Sequence, residues 1–431
     1  MSSHKSTDVP RWSRWAVVHP LLPYRLVLWL TAPLLVGYTL WRAARDRDVL
    51  YVKQRLGLHM PAVHESLWMH CASVGEVSAA LPLLKALRAR HPHVPLVITT
   101  NTPTGRAVLL NHMERDAIHT YLPLDFSACV ARFIDSTRPR CAMIVETELW
   151  PNLYQQCVTR DLSLILINAR LSDRTLKAPA LIRRAYRHTL SGVAAILARS
   201  GADADKFRCL GAPPERVETL GNIKFARPFD GSARPEKNLV GRPYWLAAST
   251  HADEELRIAH IWRRLPDTRQ LLVIAPRHPE RRAAILRQLK PLGMEIAVRS
   301  RGDMITAATR IYLADTLGEL AALMTHATLV LMCGSLIPRG GHNILEPARL
   351  GKPILVGRHM DNFVDETRGL LAAEAIMMVR NDGELRLALE RLLADGELRA
   401  ALGSRAAAFM AKHADVAQIY LERLEPLCGL H

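Results

Sequence analysis

The chain has 431 residues, 49% of them hydrophobic and 23% charged, with a formal net charge of +16. This composition excludes a disordered or collagen-like chain and allows about two to three domains with sizeable cores. The positive excess favours anionic partners such as nucleic acid, acidic lipid or a phosphorylated substrate.

The seven cysteines are scattered, with no C-x-x-C pair. That pattern argues for a reducing compartment and against a disulfide frame or a zinc site. Residues 1–14 are polar, and Trp15 to Trp41 is strongly apolar. Leu26–Trp41 carries no charge over 16 residues, short of the ~20 that a spanning helix needs. Pro20, Pro23 and Pro33 are too many for an ordinary core helix. Trp12, Trp15, Tyr24, Trp29 and Trp41 suit a membrane interface, and Arg42, Arg45, Arg47, Lys53 and Arg55 follow as a cytoplasmic flank would. No A-x-A-like site marks a cleaved signal. The expectation is a single N-terminal membrane anchor over residues 1–45, with the rest on the cytoplasmic side. A hydrophobic helix packed on the globular body is the alternative.

Ser66–Ser73 reads as the first strand of a domain spanning residues 46–228. Val74-Gly75-Glu76 makes the turn and Val77–Arg90 an amphipathic helix, kinked or restarted at Pro82. Val94–Thr100, Ala142–Val145, Leu162–Asn168 and Gly192–Leu197 read as further strands. Residues 226–243, rich in proline, glycine and charge, form the linker. A second domain, residues 240–431, restarts the alternation with strands at Trp245–Ala248, Gln270–Ala275, Met294–Val298, Ile311–Leu313, Thr328–Cys333 and Pro353–Val356. Residues 383–426 read as helical. Strands alternating with helices imply parallel βαβ units, so the expected fold is α/β: two doubly wound, Rossmann-like domains facing a cleft.

The stretch Thr328–Gly357 holds a buried strand, a loop with three glycines (Gly334–Gly341) and a short helix capped near His342 or Asn343. Its free backbone N–H groups suit an anion, and His342, Asn343 and Glu346 stand ready to read a sugar or base. An ordinary tight turn capped by Asn343 explains the same residues. Ligands of parallel sheets gather at the carboxyl ends of strands. Those ends carry Ser73–Glu76, Glu146 and Glu148, Asn168 and Arg170, Ser249–His251, and Arg277–His278.

Glu76 sits in an apolar turn where desolvation raises a carboxyl pKa toward general-base range; an N-terminal helix glutamate on the dipole is the plainer reading. Glu146 is either a cleft carboxylate or a salt-bridge partner of a nearby arginine. Lys224, beside the linker, can balance charge on a leaving phosphate or be a surface lysine. Arg277 offers a bidentate fork for phosphate. Lys177, Arg183, Arg184, Arg187 and His188 form a basic face for anionic lipid, or a solvated helix face. The strings Asp46–Asp48 and Asp203–Asp205 do not read as metal sites. No nucleic-acid module is recognised, so nucleic-acid binding is not expected.

The motifs HCASVGEVSAALPLL, TTNTPTG, ETELWPN, NARLSDR, GNIKF, AASTH, APRHPER, DTLGEL and GSLIPRGGHNILEP, in that order, resemble those of the 3-deoxy-D-manno-octulosonic acid (Kdo) transferases of the GT-B glycosyltransferase class. The resemblance covers the chain from about residue 40. It implies inverting, metal-independent transfer of Kdo from CMP-Kdo to a lipid A precursor (lipid IVA) at the bacterial inner membrane, with no cofactor besides the donor. Carried over by motif, Glu76 is the general base, and Glu146 and Lys224 stabilise the transition state. CMP is held by Pro276 and Arg277, by Leu317, Gly318 and Glu319, and by Asn343, Ile344, Leu345 and Glu346. Cys71 and Cys333 depart from the small apolar residue or glycine expected there, and residues 226–243 match poorly. Another GT-B nucleotide-sugar enzyme, such as an epimerase, is the alternative.

Overall fold

The computed structural model describes residues 21–113, 115–226, 237–265 and 270–430. Trp12, Trp15, Pro20 and linker positions 227–236 lie outside them. The chain divides into one unit of residues 1–229 plus 415–431 and a second of residues 230–414.

In the first unit seven parallel strands run β1 (Ser66–His70), β2 (Leu96–Thr100), β3 (Ile118–Tyr121), β4 (Pro139–Val145), β5 (Ser163–Ala169), β6 (Ala195–Ala198) and β7 (Val217–Thr219). Their spatial order is β3-β2-β1-β4-β5-β6-β7. The inner strands are mostly apolar and almost wholly buried because helices cover both faces of the sheet, the pattern that marks a parallel sheet. One core holds Leu67, Met69, Val77, Leu84, Ile98 and Met143. The other holds Trp68, Phe133, Ile144, Leu166 and Phe207.

The second unit repeats the plan with β8 (Tyr244–Thr250), β9 (Leu271–Pro276), β10 (Glu295–Val298), β11 (Thr309–Leu313), β12 (Val330–Met332), β13 (Ile354–Gly357) and β14 (Ile376–Val379). The order is β10-β11-β9-β8-β12-β13-β14. The doubly wound α/β fold expected from the alternation is therefore present twice. The strands missed by pattern are β3, β7 and β14. Each is short and lies at the edge of its sheet, where partner hydrogen bonds rather than a long apolar run define it.

Two local expectations are corrected. The helix Val74–Arg90 does not restart at Pro82 but runs through it as one element; burial of Val77, Ala80, Leu83, Leu84 and Leu87 outweighs the one backbone bond that proline removes. Cys141 of β4 is joined to Cys428, their Cα atoms 5.2 Å apart, although the cysteine spacing argued against any disulfide. The pair is 287 residues apart in sequence and meets because the last helix, Val416–Leu427, packs on the first unit, burying Val416, Tyr420, Leu421 and Leu424 in its core. The second unit thus ends at Ala414.

One helix, Leu22–Asp46, is long and apolar enough to cross a membrane, and 17% of its apolar window is buried. Tyr24 donates to Asp125 Oδ2 at 2.7 Å, and Arg25 donates to Asn152 Oδ1 at 2.8 Å and Gln155 Oε1 at 2.9 Å. Near the other end Ala43 packs with Tyr51 and Tyr121. Leu26, Val27, Trp29, Leu30, Leu34 and Trp41 remain exposed.

Candidate functional site

A doubly wound sheet opens a crevice where its strand order reverses, at the carboxyl ends of the two strands flanking the switch. In the first unit that point lies between β1 and β4; in the second it lies between β8 and β12. The chains leaving β1, β4, β8 and β12 carry Ser73–Glu76, Glu146–Glu148, Ser249–His251 and Gly334–Glu346. Of the residues singled out by sequence, Glu76, Glu146 and Asn343–Glu346 follow these strands, whereas Lys224, Pro276–Arg277 and Leu317–Glu319 lie at or beyond the ends of β7, β9 and β11.

In the first unit Ser73 caps the Val74–Arg90 helix: its Oγ accepts from the Glu76 N–H at 3.4 Å. Glu76 reaches back, Oε2 accepting from the Ala72 N–H at 2.5 Å and Oε1 from the Ser73 hydroxyl at 3.3 Å. Glu76 thus closes a variant of the S-x-x-E capping box, reaching the N–H of the residue before the cap, as the plainer helix-start reading of Glu76 expects. The two readings are compatible. Burial first, and the neighbouring Glu146 charge second, push the Glu76 carboxyl up to about 7 against the pull of the Ala72 N–H.

Glu146 follows β4 with φ 59° and is 5% exposed. A left-handed non-glycine residue at a strand end is a strained conformation held by its surroundings. Arg170 Nε lies 2.6 Å from Glu146 Oε2 and Lys224 Nζ 3.6 Å from Oε1. The salt-bridge reading of Glu146 is thus present as well. Lys224 is not a free surface lysine: its side chain is 21% exposed, and its N–H donates to Asn222 Oδ1 at 3.0 Å. Two residues beyond Glu146, Glu148 Oε2 accepts from Trp150 Nε1 at 2.7 Å, and burial raises its pKa. Glu76, Glu146 and Lys224, far apart in sequence, therefore share one site.

In the second unit Pro276 ends β9 buried and Arg277 follows it exposed. The Leu317–Glu319 loop leaves β11, the neighbour of β9. Leu317 is 82% exposed, Gly318 has φ 82°, and Glu319 pairs with Arg299 at 2.8 Å. Asn343 Oδ1 accepts from the Leu345 N–H at 3.1 Å, and its Nδ2 donates to Glu346 Oε1 at 3.0 Å. Ile344 and Leu345 are buried, whereas Asn343 is half-buried and Glu346 exposed. The helix that follows is only Leu345–Arg349, too short for a substantial dipole.

The glycine loop's N–H groups are not all free either. Buried Glu254 accepts from the Gly334 N–H at 2.8 Å, the Leu336 N–H at 3.2 Å and the His251 N–H at 3.0 Å. A built-in carboxylate thus occupies part of the anion recess the sequence suggested. Sequence reasoning missed Glu254; its one signal was an acid three residues after His251 opening a helix.

His251 and His342 stack with ring centroids 5.1 Å apart and their Nε2 atoms 2.9 Å apart. His278 lies 5.8 Å from His251, ring to ring. Burial, then the neighbouring His251, Arg277 and His278, push His342 down to about 4. This cluster ties the loops after β8, β9 and β12 together.

Asp48 and Asp203 act as structural acceptors: Asp48 caps a helix and Asp203 accepts from Ser200 and Arg199. Among the described residues no group of three or more His, Cys, Asp or Glu is arranged to hold a metal ion. Arg183, Arg184 and Arg187 lie exposed along the helix Ala180–Ser191.

Residues 51–227 match the family model described as 3-deoxy-D-manno-octulosonic-acid transferase (kdotransferase). The chain is 33% identical over 375 residues to a Haemophilus influenzae 3-deoxy-D-manno-octulosonic acid transferase, covering 84% of this chain and 87% of the relative. To the Bordetella pertussis protein of the same name it is 31% identical over 439 residues, covering 94% and 99%. Among solved structures, a UDP-GlcNAc 2-epimerase from Neisseria meningitidis bound to UDP-GlcNAc superimposes with a TM-score of 0.57 at 14% identity, over 84% of this chain and all of that one. That likeness concerns the fold alone.

Proposed function

We propose a donor, an acceptor and a mechanism for this chain, which belongs to the 3-deoxy-D-manno-octulosonic acid transferase family and is a Kdo glycosyltransferase. The donor is CMP-Kdo and the acceptor a lipid A precursor, lipid IVA. The observation that carries the reading is Glu76: a half-buried carboxylate at the first unit's switch point, poised near neutrality beside the Glu146–Lys224 pair.

Glu76 takes the proton of the acceptor hydroxyl as its oxygen attacks the anomeric carbon of Kdo from the face opposite the nucleotide. CMP departs and the configuration inverts. A base with a pKa near the working pH is both ionised and strong enough to assist. Lys224 supplies positive charge as negative charge develops, and Glu146, itself held between two cations, keeps that ammonium oriented. Arg277, with Pro276, Leu317–Glu319 and Asn343–Glu346, holds CMP, so side chains neutralise the leaving phosphate and no metal is invoked.

The exposed apolar stripe of Leu22–Asp46 and the arginines of Ala180–Ser191 support a seat on anionic lipid at the cytoplasmic face of a bacterial inner membrane. The Tyr24, Arg25 and Ala43 contacts tie the helix to the first unit near both ends, which supports a helix lying in the interface rather than crossing it.

The test is incubation of the purified protein with CMP-Kdo and tetraacylated lipid A precursor, with products read by mass. E76A is expected to fold, to bind CMP-Kdo and to lose transfer. Transfer by E76A at the wild-type rate overturns the base assignment. Turnover of a UDP-sugar without acceptor would favour the epimerase reading.

A further inference from the structure

We propose that Asn168 and Tyr420 are positioning residues that hold the Gly221–Phe225 loop so that the Lys224 ammonium stays beside the Glu146 carboxylate. The inference rests on the catalytic reading of Lys224 and Glu146 above.

Asn168 lies near the end of β5, is fully buried and has φ 51°. Asparagine is among the few side chains that tolerate this region, and one atom of its side chain, Oδ1, meets the loop. Its Oδ1 accepts from the Ile223 N–H at 3.1 Å. Its own N–H donates to Tyr420 Oη at 3.2 Å. The Tyr420 hydroxyl in turn donates to Gly221 O at 3.0 Å or Leu197 O at 3.3 Å. Gly221 itself has φ 99°. The loop is therefore clamped at residues 221 and 223, on both sides of Asn222, whose side chain caps the Lys224 N–H. The clamp leads directly to the ammonium 3.6 Å from Glu146.

Tyr420 belongs to the last helix, 252 residues beyond Asn168. That helix is fastened through Cys428 to β4, the strand that Glu146 follows. The chain returns from the second unit to complete the site of the first. A core tyrosine needs one hydrogen-bond partner when buried; this one spans two loops of a single site.

A positioning role moves a readout that a merely structural one leaves alone. Glu76 is faced by Glu146 and Glu148 from the end of β4, by Cys71 from the end of β1, and by the Ala72 N–H and Ser73 hydroxyl. Glu146 is faced by Arg170 and Lys224. Of these, Lys224 alone sits on the clamped loop. If the ammonium drifts, more of the Glu146 charge acts on Glu76, and the acid limb of the rate profile moves to higher pH.

The experiment compares Y420F, N168G and K224M in the full-length protein with CMP-Kdo and lipid A precursor. Y420F keeps the ring and removes only the hydroxyl. N168G keeps the left-handed backbone accessible and removes the Ile223 acceptor, so folding and clamping are separated. Both are expected to lower kcat about tenfold with the KM for CMP-Kdo unchanged, and to move the acid limb upward. Wild-type kcat and pH profile in both, while K224M is inactive, overturns the positioning role and leaves the catalytic reading intact. Losses that follow only the folded fraction, without a pH shift, also overturn it. Wild-type transfer by K224M overturns the Lys224 assignment and this inference with it.

Discussion

Lys224 Nζ lies 3.6 Å from Glu146 Oε1 while Arg170 Nε lies 2.6 Å from Oε2. One almost fully buried carboxylate is thus held between two cations drawn from different loops. The carboxylate orients both cations, and with Glu76 and Glu148 close by it sets the charge balance of the site. K224M removes one partner and leaves the other. It is expected to cost about 1 kcal/mol of stability and about a hundredfold in transfer rate. Thermal melting set against single-turnover kinetics checks this; a rate loss explained by unfolding alone contradicts it.

The elevated Glu76 pKa makes a second prediction. The unfolded carboxyl titrates near 4.5 and the folded one near 7. Below pH 4.5 both states hold the proton and Glu76 adds no penalty. Between 4.5 and 7 the unfolded state ionises first, so stability falls as pH rises, and above 7 the penalty is complete. E76Q carries no charge at any pH. It is expected to match wild type at pH 4 and to exceed it by roughly 1–2 kcal/mol at pH 8, allowing for the partial exposure of the group. Urea unfolding at the two pH values decides it, and equal differences at both sink the idea.

The stacked pair His251–His342 should stay neutral at pH 7. His342 is pushed down to about 4 and His251 is lowered mainly by burial. A lowered histidine pKa favours the neutral folded form, so its contribution to stability is present above pH 6.5 and lost as pH falls toward 4. Ring resonances of His342 followed by NMR are expected not to titrate above pH 5. If CMP binds beside them, as the proposed donor site requires, its negative charge should move that midpoint upward. Titration near pH 6.5 in the free protein would contradict the burial argument.

The exposed face of Leu22–Asp46 gives a membrane prediction. A combined W29S/L30S/L34S variant removes three side chains that are 69%, 80% and 76% exposed. It is expected to reduce binding to phosphatidylglycerol-containing vesicles at least tenfold, with a melting temperature lowered only by the loss of the Trp29–Phe126 ring contact. In bound wild type, single cysteines at positions 22 and 46 should both react with a membrane-impermeant label added outside the vesicles. Protection of one end alone would mean that the helix crosses.

Much of this chain is legible in its residue order. Apolar runs at regular spacing specify parallel strands, because a strand covered on both faces must be apolar on both. Polar and charged residues placed directly after such runs mark the carboxyl ends, and so Glu76, Glu146, Arg277 and Asn343 stand out in the residue order. Edge strands such as Val217–Thr219 escaped notice because neighbours, rather than their own composition, define them. The link from Asn168 of β5 to the Lys224 loop and to Tyr420 is illegible for a related reason: its hydrogen bonds join residues 55 and 252 positions apart.

The amino-acid order alone therefore determined the repeated βαβ plan and which loops carry charged groups, since burial periodicity and turn chemistry are local. Only the folded molecule decided that Lys224 meets Glu146, that Glu254 fills part of the glycine-loop recess, that Cys141 meets Cys428, and that the last helix serves the first unit. Those outcomes depend on distances between segments remote along the chain, which are set by packing.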